Sequence, residues 1–360
     1  MRLLVVIAHY YRHAPASERR SFGSDRMPFA KITGLNAAIV ALHRHCGTYR
    51  LSLEPPVRRG LDIVVVTAPG DNLLEWLGLD PSSYAVEYYD GEPLLLPFEA
   101  QRIMRERAGA YDLYAYLEDD LIVDDPAFFE KIAWFAATFG PRALLSPRRY
   151  EMPHAGSPEK QAIDHPLGPG ALKPFRKAGS APVLAGEWNG RRQAFRLPTN
   201  PHSGCFVVDG AQLRLWIESG TLYDRDASWI SPLESAATLA PGKVFTLYRA
   251  AEPDPWFVAI EHFGAHYATL GAAAGETYGE PPLLAWVEAA ARQGFEGVPE
   301  ALAAMAAAAT TDNMLRAEAT KHRMRADSLE RSRGQLARAL VRAIWRKAAP
   351  RSWRRDRPGP

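Results

Sequence analysis

YAYLEDDLIVDD, residues 114–125, is the stretch on which the reading of this chain turns. An aromatic and apolar run leads into five carboxylates within eight residues: Glu118, Asp119, Asp120, Asp124 and Asp125. Like charges this close repel and raise one another's pKa, a cost that a fold tolerates best where a cation or a cationic partner neutralises them. The run that includes the start of this stretch, YDLYAYL at 111–117, has strand character. The pattern after it, AFFEKIAWFAATF at 127–139, has helical spacing. Asp125 can cap that helix and Pro126 suits its first turn. The carboxylates therefore fall between a strand and the helix that follows it.

Two more runs rich in branched residues, LLVVIA at 3–8 and LDIVVVT at 61–67, read with 111–117 as buried parallel strands. Between them lie helix-compatible segments at 32–45 and at 98–108, the second ending near Gly109. This spacing predicts an α/β fold of Rossmann type, a mostly parallel sheet flanked by helices. Ligands of open α/β sheets bind at the carboxyl ends of strands, where Glu118, Asp119 and Asp120 are expected. Further on, ALLSP at 143–147, CFVVD at 205–209 and KVFTLYRA at 243–250 read as strands, and AQLRLWIESG at 211–220 as a helix. The intervening 148–196, rich in Pro, Gly and basic residues with little periodicity, reads as a long, substrate-shaping loop region.

The 360 residues, 47% hydrophobic and 23% charged, suffice for a large core and a globular chain. Cys46 and Cys205 are the only cysteines, too few for a disulfide framework or a thiolate zinc site, and a reducing, cytoplasmic compartment is expected. The N-terminal MRLLVVIAHY reads as a buried first strand and not as a targeting signal, and no run has the length of a membrane span. The formal net charge of +2 conceals an asymmetry. Residues 316–360 carry 14 Lys and Arg against 4 Asp and Glu, a net of +10, which leaves residues 1–315 at −8. The expected organisation is a main domain over 1–270, with a first half to about 147 and a second half over 148–270. An Ala-rich helical segment over 271–315 and a basic amphipathic extension over 316–360 follow.

Glu118 and Asp120, first and third of a triplet at a strand exit, can turn toward one side, and two such carboxylates suit a hard divalent cation. An Mg2+ or Mn2+ ion held by only one or two carboxylates keeps open positions for the oxygens of a diphosphate. The plainer reading of the same triplet is a set of capping and surface carboxylates. Asp124 and Asp125 are explained as loop and cap residues. No Walker phosphate loop or GxGxxG turn is present.

Taken with LLVVIAHYYR, LDIVVVT, TNPHSGCFVVD and VAIEHFGAHY, the YAYLEDDLIV segment resembles the GT-A fold glycosyltransferases, whose Asp-x-Asp-type motif ends a strand and which use nucleotide-diphosphate sugars. The likeness covers about residues 1–268, and it departs from the commonest motif in having Glu118 at the first position. It implies that Asp120 chelates the metal while Glu118 approaches the ribose or a metal-bound water, with Asp119 beside the donor. A histidine far downstream often completes the metal site in this family. EHFGAHY offers His262, the better local match, and His266; histidine with two carboxylates suits manganese. The resemblance places Asn200, His202 and Ser203 of the TNPHSG turn beside the donor sugar and the acceptor. It also places His9, Tyr10 and Arg12 at the nucleotide, where a ring can stack on a base and Arg12 can meet phosphate.

An inverting transfer needs a carboxylate that takes the acceptor hydroxyl's proton. YDRDASWISPLESAATLA offers Asp224 and Asp226 in a turn and Glu234 behind Pro232 at a helix start, the placement that resembles the family's catalytic carboxylate. The implied activity is metal-dependent transfer of a sugar from a nucleotide-diphosphate donor to a hydroxyl of a saccharide or lipid-linked acceptor. One alternative is a nucleotidyltransferase, which would usually carry a glycine-rich basic loop where this chain has HYYRHAPASERR. Another is a non-catalytic saccharide-binding or scaffold protein that keeps the fold. In the tail, Leu329, Leu336, Leu340, Ile344 and Trp345 can line one face among arginines, a pattern suited to an anionic membrane surface. A partner protein is the other candidate, and no nucleic acid is expected. The run LERSRGQLARALVRAIWR loosely resembles the C-terminal ends of bacterial enzymes that build surface polysaccharides, a resemblance that implies a cytoplasmic protein, peripheral on the inner face of the membrane, as an expectation.

Overall fold

A computed structural model describes residues 1–12, 28–48, 60–152 and 159–264 of the chain. The elements begin with β1 (Arg2–His9), α1 (Pro28–Cys46), β2 (Gly60–Thr67), β3 (Ala85–Tyr88), α2 (Glu99–Glu106) and β4 (Leu113–Glu118). Next come β5 (Leu121–Ile122), α3 (Phe128–Phe139), β6 (Ala143–Leu145), β7 (Arg148–Glu151), β8 (Gln161–Ala162) and the single turn α4 (Pro169–Leu172). β9 (Val183–Trp188), β10 (Arg191–Arg196), β11 (Cys205–Asp209), α5 (Gly210–Glu218), β12 (Thr246–Ala250) and β13 (Ala259–His262) complete the described part, with a helical stretch over 232–242 before β12.

The three branched runs become β1, β2 and β4 because they can be buried on both faces. Leu3, Val5 and Ile7 pack with Leu35, Ile39 and Leu42 of α1 on one face, while Leu4 and Val6 pack with Ile103 and Met104 of α2 and Trp216 of α5 on the other. Each such side chain contributes about 1.5–3 kcal/mol when fully buried. The sheet order is β11-β4-β1-β2-β3, with β1 to β4 parallel and β11 antiparallel to β4. From β1 the chain crosses through α1 to β2 on one side, and later returns through α2 to β4 on the other. Strand order thus reverses between β1 and β4, and the crevice at their carboxyl ends is the topological switch point where open α/β sheets bind ligands.

Two four-stranded sheets adjoin the first, in the orders β6-β12-β10-β9 and β5-β13-β7-β8. They correct the expectation of a loop over 148–196. That stretch supplies β7, β8, α4 and the hairpin β9–β10, whose two-residue Asn189-Gly190 turn has both residues at positive φ, as the right-handed twist of a hairpin favours. The carboxylate stretch also contains a strand, since β5 follows Asp120 directly. Asp125 accepts the Ala127 N–H at 2.9 Å and pairs with Lys131 at 2.6 Å, but α3 starts at Phe128 with Ala127 as its cap residue and no side-chain cap hydrogen bond, which corrects the expectation that Asp125 caps the helix and Pro126 sits in its first turn.

His266, the Ala-rich segment 271–315 and the basic tail 316–360 lie outside the described residues. Among the described residues no helix is long and apolar enough to cross a membrane.

Candidate functional site

Asp120 and His262 are brought together by sheet register. β13 runs antiparallel to β5 with His262 opposite Leu121, and the Phe263 N–H donates to the Asp120 carbonyl at 2.7 Å. His262 Nε2 consequently lies 3.6 Å from Asp120 Oδ2. The other ring nitrogen, Nδ1, lies 2.8 Å from Oε1 of Glu151, a carboxylate with no solvent exposure. Glu151 arrives on β7, where side chains alternate. Arg149 and Glu151 engage the groups of the crevice, whereas Tyr150 donates to Asp124 at 2.6 Å and Arg148 lies over the Trp256 ring.

Glu118 sits at the end of β4 with Arg149 Nη1 3.8 Å from its Oε2. Burial raises its pKa to about 7; Arg149 and His262 oppose the rise, and the charges of Asp120 and Glu234 add to it. Four expected site residues, Glu118, Asp120, Glu234 and His262, thus share one electrostatic neighbourhood. Arg149 is itself held by Asp164, which accepts from Nε at 3.1 Å and Nη2 at 2.6 Å. Arg249 Nη1 approaches the same carboxylate at 3.6 Å and its Nη2 donates to the His202 carbonyl at 2.6 Å. Burial lowers the Arg249 pKa to about 10, far enough above neutrality that the guanidinium stays charged.

Asp119, next to these residues in sequence, takes a different place. Its carboxylate receives Lys31 Nζ of α1 at 2.8 and 2.9 Å and lies 2.7 Å from His9 Nδ1. The Leu73 N–H donates to His9 Nε2 at 3.1 Å, so that nitrogen is the acceptor and Nδ1 carries the proton given to Asp119. Lys31 and His9 hold the Asp119 pKa far below the usual carboxylate range against the opposing effect of burial, which is the largest single influence. His9 and Asp119, expected at the donor, are corrected to an internal brace, because His9 is fully buried and both its ring nitrogens have protein partners. Tyr10 is also buried and its hydroxyl donates to Asp71 at 3.2 Å; Arg12 is exposed beyond the end of β1.

The TNPHSG turn borders the site without offering the polar atoms expected of it. Asn200 Nδ2 donates to the His165 carbonyl at 2.9 Å and its Oδ1 accepts the His202 N–H at 3.0 Å. His202 Nδ1 is 3.0 Å from the Thr238 hydroxyl, and burial, aided by Arg149 and Arg249, keeps the ring neutral. Ser203 donates to the Cys205 carbonyl at 3.0 Å. All three are buried, so the turn shapes the wall through backbone and packing.

Among the base candidates, Asp224 and Asp226 both pair with Lys243, at 2.5 and 2.8 Å, and this partner with Ser228 lowers the Asp226 pKa to about 2. A carboxylate so held is a poor proton acceptor near neutrality, which argues against Asp226. Glu234 ends the first helical turn at 232–234, is half-buried, and accepts a hydrogen bond from the Ser231 hydroxyl. A π-helical turn, Ser235–Leu239, follows directly.

Lys31, Arg149 and Glu151 were not apparent in the sequence. RRYE has no apolar alternation to mark β7, and a lysine in a helix carries no sign of its partner 88 residues away.

The donor set gives a divided answer for a divalent ion. Asp120 and His262 Nε2 are spaced as two ligands of one ion can be, with a carboxylate behind the imidazole as in many metal sites. Glu118 lies against Arg149, and among the described residues no group of three His, Cys, Asp or Glu side chains forms a metal-holding cluster. The residues fit an ion bound by two protein ligands, with its remaining positions open.

No protein-family model matches the chain, and no curated protein does. Among solved structures, Staphylococcus aureus TarS 1-349 aligns at 9% identity and a TM-score of 0.38, over 74% of this chain and 62% of that one, about three fifths of its length. Mouse xyloside xylosyltransferase 1 in its apo form aligns at 11% identity and 0.36, covering 74% and 98%. A 4-diphosphocytidyl-2C-methyl-D-erythritol synthase aligns at 12% identity and 0.28, covering 68% and 86%. All three are distant likenesses.

Proposed function

We propose that this chain is a glycosyltransferase that moves a sugar from a nucleotide-diphosphate donor to a hydroxyl of a saccharide or lipid-linked acceptor with the help of Mn2+ or Mg2+. One observation carries the reading. Asp120 and His262, 142 residues apart in the chain, lie 3.6 Å from one another, and Glu118, two residues before Asp120 at the carboxyl end of β4, feels the charges of Asp120, Glu234 and His262 at the strand end where open α/β sheets bind ligands.

Asp120 and His262 Nε2 would hold the ion, which when bound offsets charge on the leaving diphosphate. Glu118, a carboxyl kept near neutrality by burial, can share a proton or hydrogen bond with the donor's hydroxyls. Arg149, fixed by Asp164, adds a preorganised positive charge beside it. Glu234 receives the proton of the acceptor hydroxyl as its oxygen bonds to the anomeric carbon and the diphosphate departs with the electron pair of the broken bond. The Ser231 hydroxyl orients the Glu234 carboxylate for that transfer.

The test is calorimetric titration of a panel of nucleoside diphosphates and their sugars into wild type and Asp120→Ala, each with and without Mn2+. Binding that needs both the ion and Asp120 is expected, and the tightest ligand identifies the donor. Folded wild-type protein that binds none of them would leave the carboxylates a structural cluster.

A further inference from the structure

Arg142 and Lys177 come together at the amino ends of β6 and β12, in parts of the chain that hold no counter-charge. Residues 131–150, 165–186 and 235–251, the three segments that supply this corner, contain no Asp or Glu. Hydrogen bonds tie them to one another. The Thr246 N–H donates to the Arg142 carbonyl at 2.9 Å, beside the Ala143–Thr246 pair that opens the parallel ladder of β6 and β12. The Thr246 and Ser180 hydroxyls lie 2.9 Å apart. The Ser180 N–H in turn donates to the Lys177 carbonyl at 3.3 Å, across a tight turn in which Gly179 takes φ +79°. Arg142, Thr246, Ser180 and Lys177 thus form one cluster at the start of β12, whereas Arg249, which approaches Asp164, lies near the other end of that strand.

Two features set the cluster apart from an ordinary basic surface. Lys177 is half-buried, and among the described residues no carboxylate pairs with it or with Arg142. Burial and the neighbouring Arg142 charge both lower the Lys177 pKa, to about 8. A half-buried ammonium so placed loses hydration without a counter-charge to replace it, and a bound anion would supply one. The second feature is the hydroxyl pair. Two hydroxyls hold two protons, and the contact between Ser180 and Thr246 uses one of them, so one O–H is left to donate to a ligand. Two cations and a hydroxyl donor match a phosphate group: the exposed Arg142 guanidinium offers a fork for two of its oxygens, and Lys177 a point charge.

We infer that Arg142, Lys177 and the Ser180–Thr246 hydroxyl pair form a phosphate-binding site distinct from the crevice that holds Asp120 and His262. The inference does not depend on the glycosyltransferase reading, since the two sites share no residue. Phosphate reaches such a site either as a soluble ion or ester or on a lipid headgroup, and the recognising chemistry is the same for both.

Inorganic phosphate is the first probe, titrated by calorimetry into the full chain at constant ionic strength, with wild type, Lys177→Met, Arg142→Gln and the double variant compared. Wild type is expected to bind it, each single variant about 10-fold more weakly, and the double variant not measurably. Lys177→Met keeps the length of the side chain and removes an unpaired charge, so its thermal midpoint should equal or exceed that of wild type. Phosphate should raise the midpoint of wild type and not that of the double variant. Wild type that binds no phosphate would overturn the site, and so would a double variant that binds it as tightly as wild type. Phosphatidylcholine vesicles carrying phosphatidic acid, set against vesicles carrying phosphatidylserine at matched charge, separate the two sources. Stronger sedimentation with phosphatidic acid that the double variant loses assigns the site to a lipid headgroup. Phosphate binding by wild type with no such vesicle preference assigns it to a soluble phosphate.

Discussion

Gly204 has φ +62°, and a Cβ placed on it would sit 2.6 Å from Glu118 Oε2 and 3.0 Å from the Leu121 side chain. Both facts demand glycine: an L side chain pays about 1–2 kcal/mol in the left-handed region, and this one would also displace the half-buried Glu118 carboxylate. Gly204→Ala is therefore expected to lower unfolding free energy by about 2 kcal/mol or more in a denaturant titration and to weaken donor binding through Glu118. An unchanged midpoint would mean that Glu118 moves aside freely. Glu234 makes the complementary case, a residue whose removal should affect turnover and leave the fold alone, since it is half-buried at a helix start. Glu234→Gln keeps the size and the Ser231 contact but cannot take a proton. Its kcat should drop about 10²–10⁴-fold with the donor KM nearly constant, and a variant that keeps most of its kcat would remove Glu234 as the base.

At the scale of elements, the parallel strands and their helices were legible because their signals are local: branched apolar runs for β1, β2 and β4, helical spacing for α1 and α3, a Gly109 stop after α2. The short strands β5, β7, β8 and β13 were not, since a strand of two to four residues has too few positions to show a period and owes its existence to partners far along the chain. The site divides the same way. Glu118, Asp120 and His262 could be picked out from the residues and the family resemblance, whereas Arg149 and Glu151 arrive on β7 and Lys31 on α1. The Asn189-Gly190 dipeptide was a readable hairpin signal inside the stretch taken for loop. Lys31 ties α1 to the turn that presents Asp120, with its own side chain 11% exposed and that of Asp119 6%. Lys31→Met would leave a buried carboxylate with His9 as its one side-chain partner among the described residues and is expected to cost about 3–5 kcal/mol in chemical denaturation. A loss below 1 kcal/mol would show that His9 alone satisfies Asp119.

Across the whole molecule the charge is unevenly divided along the sequence. The candidate site lies within residues 1–264, in a body that is net acidic, while the excess of positive charge is confined to 316–360. Each Lys or Arg near an anionic bilayer contributes about 1 kcal/mol, and Leu336, Leu340, Ile344 and Trp345 add apolar area if they share one face. Attraction of this kind is screened over about 8 Å at physiological salt, so it should be strong at low ionic strength and fade as salt rises. Removal of 331–360 takes away 10 of the tail's 14 basic residues and leaves the described elements intact. Full-length protein is accordingly expected to sediment with vesicles containing phosphatidylserine, but not with neutral phosphatidylcholine vesicles or at high salt, and the truncated protein with neither. Nucleotide binding by the truncated protein should match that of the full chain, because none of the residues assigned to the site lies in the tail. Sedimentation that persists after truncation would move membrane contact to the body, and equal binding to neutral vesicles would replace charge by apolar insertion as its cause.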